Sequence, residues 1–423
     1  MKPRALRWAR WSAPARARDD TAARTPFQVH AATLARALAP LVGGNRVQLL
    51  QDGPETYAAM FEAIDEAREH INIESYTVES DGPGAELARR LVRRCADGVK
   101  VNLLFDGFGS LHTSKRYFDA LRAAGVTVCE YNPLRRMANL LSRALHLRDH
   151  RKLMVVDGRV AFIGGVNISG VYAFGSLSGS AHREGEHDMQ AARDRGWRDT
   201  HVRVEGPIVA QLQRLYVDHW RRVARIDMAR SQYFPPLDVA GTHQVGVAAT
   251  DAGHRRNPFY RALLGAIDAA QLRVRATTAY FVPTRRLTRA LIRAARRGVQ
   301  VELMLPGYTD FWAPLYAGRS HYGALLRAGV RVFERHDTLL HAKTCVIDGV
   351  WATVGSSNLD WRSMLHNAEA NIVILDEDIG TQLERVFEDD LLRCREIKLE
   401  TWRHRDAMHR VKEWVARRFE FFL

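Results

Sequence analysis

Cysteine is scarce in this chain of 423 residues, which contains four. They are scattered, with none of the paired spacings that zinc-binding or disulfide frameworks show, at Cys95, Cys129, Cys345 and Cys394. This pattern argues against a cysteine-rich metal or secreted scaffold and favours a reducing compartment. The N-terminal region also lacks an apolar core of signal-peptide length, so the sequence indicates no export.

Acidic residues are too few to balance the basic ones. The chain has 48 Asp and Glu against 62 Lys and Arg, which gives a formal net charge of +14. Such a charge indicates polyanionic partners, and an anionic membrane and a nucleic acid both qualify. Residues 1–18 contain several Lys and Arg but no acidic residue. We therefore interpret residues 1–43 as a basic arm that rests on anionic lipid.

A short pattern of His, Lys, Asp, Gly and Asn occurs twice, once in each half of the chain. The offsets from the His to the other residues are identical in the two copies. The first copy comprises His150, Lys152, Asp157, Gly158, Gly164 and Asn167, and the second comprises His341, Lys343, Asp348, Gly349, Gly355 and Asn358. A single copy is more often a structural histidine near a turn, but two copies in matched register favour catalysis.

Each copy predicts a β-hairpin. The His and the Lys are two residues apart ahead of a Val-rich run, so they project from the same face of a strand. The Asp-Gly pair predicts the turn. After the turn, an apolar run returns to the Gly and the Asn. We therefore expect a His–Lys–Asn cluster on a rigid hairpin in each half.

This inventory of side chains suits phosphodiester chemistry. A neutral imidazole attacks phosphorus, and a second, protonated imidazole donates to the departing alkoxide. Each imidazole also needs a partner on its other ring nitrogen, and Asp199 and Glu369 are candidates because each opens a similar strand downstream of a motif. The groups expected to donate to the phosphoryl oxygens are Lys152, Lys343, Asn167 and Asn358.

The two copies differ at the residue after the first Gly of the returning strand. The first has Gly165 and the second has Ser356. The Ser356 hydroxyl is either an additional donor at the phosphate or a group that packs in the turn, and the sequence leaves both open.

At these residues the sequence resembles the phospholipase D superfamily, whose signature is His-x-Lys-x4-Asp followed by Gly-Gly/Ser-x-Asn. Residues 148–168 and 197–207 look like bacterial cardiolipin synthases, in particular the forms without N-terminal transmembrane helices, often called cardiolipin synthase B. The similarity spans roughly residues 47–392. It implies a two-step transfer at one site, on the pseudo-twofold axis between two halves. The phosphatidyl group of one phosphatidylglycerol would pass to a second, giving cardiolipin and glycerol.

The resemblance also implies roles for individual residues. His150 would form a phosphohistidine and His341 would act as acid and then as base, although the residue pattern itself is symmetric. Asp157 and Asp348 belong to the catalytic signature, and we expect them mainly to brace the hairpins. Ser356, Asp199 and Glu369 would support the substrate phosphate. The resemblance implies no metal ion and no other cofactor.

The order of predicted elements repeats as well. The first half predicts a helix, a strand, a helix and a strand over 57–67, 71–76, 85–96 and 99–105, and the second half over 260–270, 272–276, 285–297 and 299–305. Alternating strands and helices indicate an α/β fold of two duplicated domains, each with a mixed β-sheet flanked by helices. We expect domains at 44–230 and 253–396, a linker at 231–252, and a basic amphipathic tail at 397–423.

Three basic or aromatic stretches bear on the substrate. Residues 133–148 predict a basic amphipathic helix that leads into His150, and the aromatic residues of 311–316 follow a predicted strand. The tail has an apolar stripe among arginines, formed by Trp402, Met408, Val411, Val415, Phe419 and Phe422. All three fit contact with anionic lipid. The alternatives are packing on the body of the protein, or base stacking for 311–316.

These observations predict a phosphatidyltransferase of the cardiolipin synthase type, peripheral at the cytoplasmic face of a bacterial membrane. Its partners would be anionic phospholipids, phosphatidylglycerol and cardiolipin, rather than nucleic acid. Two alternatives remain: a hydrolase or nuclease of the same superfamily, and a non-catalytic lipid-binding scaffold. The sequence carries no prediction of oligomeric state.

Overall fold

The computed structural model describes residues 24–133, 146–176, 196–228, 233–254, 256–309 and 311–422. The α-helices in these residues are α1 Pro26–Ala37, α2 Asp52–Glu66, α3 Gly82–Ala96, α4 Lys115–Ala123, α5 Val209–Ala224, α6 Pro258–Ala269, α7 Arg285–Arg296, α8 Trp312–Arg327, α9 Trp361–Leu365, α10 Glu377–Leu391, α11 Leu399–Arg403 and α12 Ala407–Arg418. Short 3-10 helices are Gly170–Tyr172 and Glu420–Phe422.

The strands in the same residues are β1 Val42–Gln51, β2 His70–Ser75, β3 Lys100–Asp106, β4 Thr127–Tyr131, β5 Lys152–Val156, β6 Val160–Gly164, β7 Thr200–Glu205, β8 His243–Thr250, β9 Arg273–Thr277, β10 Phe281–Val282, β11 Gln300–Pro306, β12 Arg331–Arg335, β13 Thr344–Ile347, β14 Trp351–Gly355, β15 Leu359–Asp360, β16 Glu369–Leu375 and β17 Cys394–Ile397.

One continuous sheet contains fifteen of these strands in the order β17-β12-β11-β9-β13-β14-β16-β8-β1-β7-β6-β5-β2-β3-β4. Strands β2, β3 and β4 are parallel neighbours, as are β9, β11 and β12. The hairpin β5–β6 lies antiparallel beside β2, and β13–β14 lies antiparallel beside β9. The two halves therefore repeat one topology of mixed strands with helices between them, and the predicted fold class is confirmed.

One apolar cluster of the core contains side chains from both halves. Met154 and Val156 of β5 pack with the helices of the first half, whereas Leu153 and Val155, on the other face of the strand, pack in a cluster that also contains Ile372 of the second half. Because alternate residues of a strand point to opposite faces, the apolar run from Leu153 to Val156 makes β5 buried on both sides. The catalytic hairpins thus lie at the interface between the halves.

The predicted helices and strands lie close to those of the structure. The four predicted strands are displaced by one residue, but helices α2, α3 and α6 begin two to five residues earlier than predicted. Their first turns contain Pro54, Pro83 and Pro258, which resemble helix breakers in a sequence. Proline is tolerated in the first turn because the N–H that it lacks would have no partner within the helix.

The prediction of a basic arm over residues 1–43 is wrong for its later part. Thr25 caps helix α1 in a capping box with Gln28. The helix then buries Leu34 in the apolar core of the second half, and β1 follows from Val42. Residues 1–23, which carry most of the predicted charge, lie outside the described residues.

The predicted linker over 231–252 is also too long. Residues 243–250 form β8, which pairs with β16 along its length and with β1 through Val42 and Val245. Strand β8 therefore joins the two halves within the sheet. Its Gly and Ala residues, following Pro235 and Pro236, gave it the composition of a loop.

Only some of the segments predicted to contact a membrane lie within the described residues. Residues 134–145, the body of the predicted amphipathic helix, lie outside the described residues. The tail forms helices α11 and α12, as its apolar spacing predicts. Nowhere in the described part of the chain is there a helix with the length and apolar character that a bilayer span requires.

Candidate active site

The two motifs meet across the interface because each pairs with backbone of the opposite half. The His150 N–H donates to the Ala368 carbonyl at 2.9 Å, and the His341 N–H donates to the Arg198 carbonyl at 2.7 Å. These contacts place the residue after Ala368, which is Glu369, beside His150. They also place Asp199 beside His341.

Each imidazole binds, through Nδ1, a carboxylate from the other half. His150 Nδ1 lies 3.1 Å from Glu369 Oε2, and His341 Nδ1 lies 2.6 Å from Asp199 Oδ2. The sequence identified both carboxylates without indicating which histidine each would contact. In the structure each carboxylate contacts the histidine of the other half, an arrangement that we call crosswise pairing. A carboxylate on Nδ1 fixes the tautomer and orientation of the ring and leaves Nε2 as the reacting nitrogen.

Both imidazoles are neutral at pH 7 in the unliganded site. Burial lowers the pKa of His150 to about 4, helped by Lys152 and Lys343 and opposed by Glu369. Burial also lowers the pKa of His341 well below its usual value, and Lys343, Lys152 and His150 act in the same direction. A bound phosphodiester anion would oppose these cations and raise both pKa values. Protonation of one ring is therefore coupled to binding of an anion.

The two His–carboxylate pairs differ electrostatically. Burial opposes ionisation of Glu369, but His150, the Ser356 hydroxyl and Lys152 outweigh it and lower the pKa of this carboxyl group. Burial raises the pKa of Asp199, although Lys343 opposes the change. The pKa values of the two carboxyl groups therefore shift in opposite directions. This asymmetry is absent from the motif itself.

The difference between Gly165 and Ser356 follows from the two carboxylates. A Cβ atom on Gly165 would lie 1.9 Å from Asp199 Oδ1, so only glycine leaves room for this carboxylate. The Ser356 hydroxyl donates to Glu369 Oε2 and accepts from the Ala370 N–H at 3.0 Å. Ser356 therefore supports Glu369 and not the substrate phosphate, which corrects the role assigned to it from the sequence.

The structure places each lysine beside its own histidine. Lys152 Nζ donates to the His150 carbonyl at 2.7 Å, and Lys343 Nζ donates to the His341 carbonyl. Burial lowers the pKa of Lys152 to about 7, with Lys343 adding to the effect and Glu369 opposing it. Two ammonium groups in this confined space favour binding of an anion between the histidines.

The two asparagines have different surroundings. The Asn167 Oδ1 accepts from the Thr77 N–H at 3.2 Å, and its Nδ2 donates to the Tyr172 hydroxyl at 3.2 Å. The Asn358 Oδ1 is buried and has no hydrogen-bond partner within the described ranges. Asn167 is therefore held in place by the protein, and Asn358 retains hydrogen-bonding capacity in the site.

Asp157 and Asp348 lie in the hairpin turns and not among the reacting groups. The Asp157 carboxylate accepts from the N–H groups of residues 68, 69 and 70 at 2.8 Å each, and Asp348 accepts from those of residues 271, 272 and 273 at 2.8–2.9 Å. Strand β5 separates Asp157 from Lys152 by roughly 16 Å at about 3.3 Å per residue. Asp157 and Asp348 were therefore wrongly included among the catalytic residues. Their contacts agree with the expectation that they brace the hairpins.

Removal of the Asp348 carboxylate is expected to destabilise the protein. Its Oδ2 also lies 2.9 Å from His30 Nε2 of helix α1, and both side chains are fully buried. Asp348→Ala should lower the free energy of unfolding by about 3 kcal/mol, because several donors lose one charged acceptor. Urea titration measures this change. His30→Ala, which leaves the three backbone contacts, is the milder comparison.

The same interaction predicts a pH dependence. Burial opposes ionisation of Asp348, but His30 and the three backbone N–H groups outweigh it and lower its pKa below the usual 3.8. The stabilisation is therefore present above pH 3.8 and is lost as the pH falls through the lowered value. The difference in stability between wild type and Asp348→Ala should shrink in acid. A difference that stays constant through this range would contradict an ionic role.

Tyr172 is a site residue that sequence reasoning missed. Its hydroxyl lies 3.0 Å from His341 Nδ1 and accepts from Asn167, so it links the two motifs. A Cβ atom on Gly53 would lie 1.8 Å from the Tyr172 carbonyl, so this glycine permits the close approach of helix α2. Only its position shortly after Asn167 could have identified Tyr172. Trp197 also contacts the His341 ring, with centroids 5.3 Å apart.

Arginines beside the motifs tie the halves together. Arg151 is fully buried and donates to the Thr250 carbonyl at 2.7 Å and to Asp251 at 2.8 Å. Arg198 donates to Asp390 of the second half at 3.0 Å and to Asp52 of the first at 3.2 Å. These contacts fix the register of the halves on which the crosswise pairing depends.

A buried group of Glu74, Asp149 and His219 has ligand atoms close enough for a metal ion. The Arg151 guanidinium already lies 3.5 Å from Glu74, and burial raises the pKa of both carboxyl groups. A neighbouring cation and carboxyl groups whose ionisation burial opposes make a poor metal site. We interpret this group as support for the strand that enters the first motif.

Comparison with known proteins agrees with these motifs. The family model described as cardiolipin synthase, PLD-like domain, matches residues 60–172 and 263–391. The chain is 32% identical to the cardiolipin synthase of Geobacillus kaustophilus, over 93% of this chain and 76% of that protein. It is 30% identical to a probable cardiolipin synthase of Bacillus subtilis, over 89% of this chain and 72% of that protein.

A solved structure shares the fold. The phosphatidylserine synthase of Haemophilus influenzae superposes with a TM-score of 0.64 at 14% sequence identity, and the match covers 94% of this chain and 100% of that one. At this identity the similarity concerns the arrangement of the two halves.

Two α/β halves that each contribute a His-x-Lys-x4-Asp motif to a common interface define the phospholipase D superfamily. Within it, the family match and the relatives show that the chain belongs to the cardiolipin synthase family. The superfamily and the enzyme class that the sequence predicts are both confirmed. The resemblance to the B forms in particular stays a prediction.

Proposed function

We propose that the enzyme transfers the phosphatidyl group of one phosphatidylglycerol to a second, through a phosphohistidine on His150. The observation that carries this proposal is the crosswise pairing of two neutral histidines with two different carboxylates. A two-step transfer needs one imidazole with a free lone pair and another that gives up and regains a proton. Two different His–carboxylate pairs at one interface can supply both the nucleophile and the proton donor.

In the first step, His150 Nε2 attacks the phosphorus while its Nδ1–H donates to Glu369. The P–N bond forms and the bond from phosphorus to the headgroup glycerol oxygen breaks. His341 gives its proton to that oxygen, and glycerol leaves. The ionised Glu369 stabilises the positive charge that develops on the His150 ring, in the way that a triad carboxylate does.

In the second step, His341 takes the proton from a hydroxyl of the second phosphatidylglycerol. The oxygen attacks phosphorus, the P–N bond breaks, and cardiolipin forms with His150 again neutral. Lys152, Lys343 and Asn358 are proposed to hold the phosphoryl oxygens, because the lysine N–H groups and the side-chain N–H groups of the asparagine can donate to them as negative charge builds up. Asn167 would position Tyr172 and, through it, His341.

We assign the nucleophile to His150 and the acid–base role to His341 on the basis of their carboxylates. A lowered Glu369 pKa gives His150 an anionic partner, which favours attack and a positively charged ring. Asp199, a carboxyl group whose pKa burial raises, contacts His341, to which we give the proton that the leaving group needs. We also propose a peripheral position at the cytoplasmic face of the membrane, where reduced cysteines and a lipid substrate are compatible.

Product analysis tests the function. Wild-type enzyme and labelled phosphatidylglycerol in mixed micelles, with excess chelator, are expected to give labelled cardiolipin and free glycerol. Phosphatidic acid as the sole product would make the protein a hydrolase. Absence of lipid turnover, together with cleavage of single-stranded DNA, would make it a nuclease. Binding of lipid without any turnover would leave a scaffold.

A further inference from the structure

The C-terminal helix α12 is docked on the body with its apolar side facing outward. Glu413 and Ala416 are buried, and Glu413 pairs with Arg405 at 2.7 Å. Residues two positions apart on a helix point to roughly opposite sides, at about 100° per residue. Val411 and Trp414 therefore face away from the protein, and they are 55% and 68% exposed.

We define the tail surface as the exposed apolar side chains of this C-terminal segment. They are Met408, Val411, Trp414, Phe419 and Phe421. Three members of the stripe predicted from the sequence, Met408, Val411 and Phe419, belong to this surface, whereas Trp402 packs against Tyr322 with ring centroids 5.0 Å apart. Of the two outcomes left open for the tail, the structure shows packing on the body, through the side of helix α12 that carries Glu413 and Ala416.

The charges around the tail surface are mostly positive. The only acidic residue within helix α12 is Glu413, which is buried and paired with Arg405. Glu420, after the helix, pairs with His321 at 3.1 Å. The basic residues of the helix are Arg410, Lys412, Arg417 and Arg418. The surface therefore presents apolar side chains among several basic ones.

A second exposed apolar group surrounds the catalytic motifs, and we call it the site rim. Strand β3 ends beside Lys152, because Ser75 of β2 pairs with Lys152 and with Phe105 of β3. Strand β11 ends beside the second motif in the same way, through Thr277. The rim residues follow these strands and the 3-10 helix of Tyr172, and they are Phe108, Leu111, Phe174, Phe311 and Trp312.

Ring contacts connect the tail surface to the rim and to the motifs. Trp312 lies 6.3 Å from Tyr316, and the Tyr316 ring stacks on His409 of helix α12 at 5.7 Å. At the other end of the tail, Phe421 contacts Trp361 at 5.5 Å and His366 at 5.3 Å. His366 lies three residues before Glu369 in the chain. These contacts connect the tail surface to the rim at Trp312 and, through His366, to the segment that leads to Glu369.

We propose that the tail surface and the site rim together dock on an anionic phospholipid bilayer, with the catalytic motifs facing the lipid. Outward aromatic and aliphatic side chains flanked by arginines match the apolar interior and the negative surface of such a bilayer. Without such a bilayer, these large apolar side chains would remain exposed to water, and large exposed apolar patches usually mark a binding surface. This inference rests on the proposed lipid substrate. It goes further by identifying the part of the protein surface that contacts the membrane.

The test is vesicle binding by the full chain. Val411→Gln/Trp414→Gln is expected to bind phosphatidylglycerol-containing vesicles at least about tenfold more weakly than wild type, since two apolar side chains no longer enter the bilayer. The matched control is Val239→Gln/Leu272→Gln. These two side chains are 75% and 62% exposed, and Leu272 precedes β9 at the end away from Thr277. This control should bind as wild type does.

Substitution of basic residues gives an independent test of membrane binding. Arg410→Gln and Arg418→Gln should each weaken binding to phosphatidylglycerol vesicles roughly fivefold, and leave the weak binding to phosphatidylcholine vesicles unchanged. Equal binding of the wild type to both kinds of vesicle would overturn the proposed match of charge. Equal vesicle binding by Val411→Gln/Trp414→Gln and wild type would overturn the tail surface.

Short-chain phosphatidylglycerol below its micelle concentration separates docking from catalysis. The Val411→Gln/Trp414→Gln variant should convert this monomeric lipid at the wild-type rate and lose activity only on vesicles. Reduced vesicle binding without turnover of either lipid would support the docking face while contradicting the proposed function. A wild-type dimer that this variant dissociates in sedimentation, with vesicle binding intact, would make the surface an interface between copies and overturn the proposal.

Discussion

His341→Ala is expected to lose cardiolipin synthesis by at least about 10³-fold, yet to release one equivalent of p-nitrophenolate from a phosphatidyl p-nitrophenyl ester. Glycerol needs a proton to leave, whereas p-nitrophenolate leaves without one, so His150 can still form the covalent intermediate. The second step then stalls, because no base activates the acceptor hydroxyl. Stopped-flow absorbance measures the single burst.

His150→Ala gives the contrasting result. It removes the attacking nitrogen, so neither ester nor natural lipid should react, and no burst is expected. Wild-type enzyme should turn over the ester repeatedly. A burst from His150→Ala and none from His341→Ala would reverse the two roles. The crosswise geometry would survive that result, but the assignment from the two carboxylates would be wrong.

The carboxylates are expected to follow the histidines of the opposite halves. Glu369→Gln and Asp199→Asn should each reduce cardiolipin synthesis roughly 10²- to 10⁴-fold, the range seen when a triad loses its carboxylate. With the p-nitrophenyl ester, however, Glu369→Gln should slow the burst, because Glu369 bonds His150. Asp199→Asn should leave the burst rate near that of wild type, because Asp199 bonds His341.

This comparison distinguishes crosswise pairing from pairing within each half. Pairing within each half predicts the opposite, a slow burst in Asp199→Asn and a normal one in Glu369→Gln. Glu377→Gln, which changes an exposed carboxylate at the start of helix α10, is the control and should behave as wild type. Circular dichroism of all three variants confirms that the fold is intact.

The sequence predicted what depends on local pattern. Two copies of one motif gave the hairpins that carry His150 and His341, and alternating apolar runs gave the strands to within one residue. The Asp-Gly pairs gave the turns, and the structure adds the reason for the aspartates: each accepts from three consecutive backbone N–H groups. These features follow from residues that are neighbours in the chain.

What the sequence could not give depends on contacts between distant residues. Glu369 lies 219 positions from His150, and nothing near either residue indicates that they meet. The need for Gly165 appears only when Asp199 is in place, because the clash involves a side chain from another strand. Strand β8 and helix α1 were missed for a related reason, since their own composition is that of a loop and an arm and their partners lie in distant parts of the chain.

The covalent intermediate tests the central claim most directly. Wild-type enzyme would be mixed with phosphatidylglycerol carrying a ³²P label, quenched within milliseconds in alkali, and digested for peptide mapping. Phosphohistidine is stable to alkali and labile to acid, so the label should survive this quench and disappear on acidification. Our account predicts label on the peptide that contains His150. Label on the His341 peptide, or full turnover to cardiolipin by His150→Ala, would contradict it.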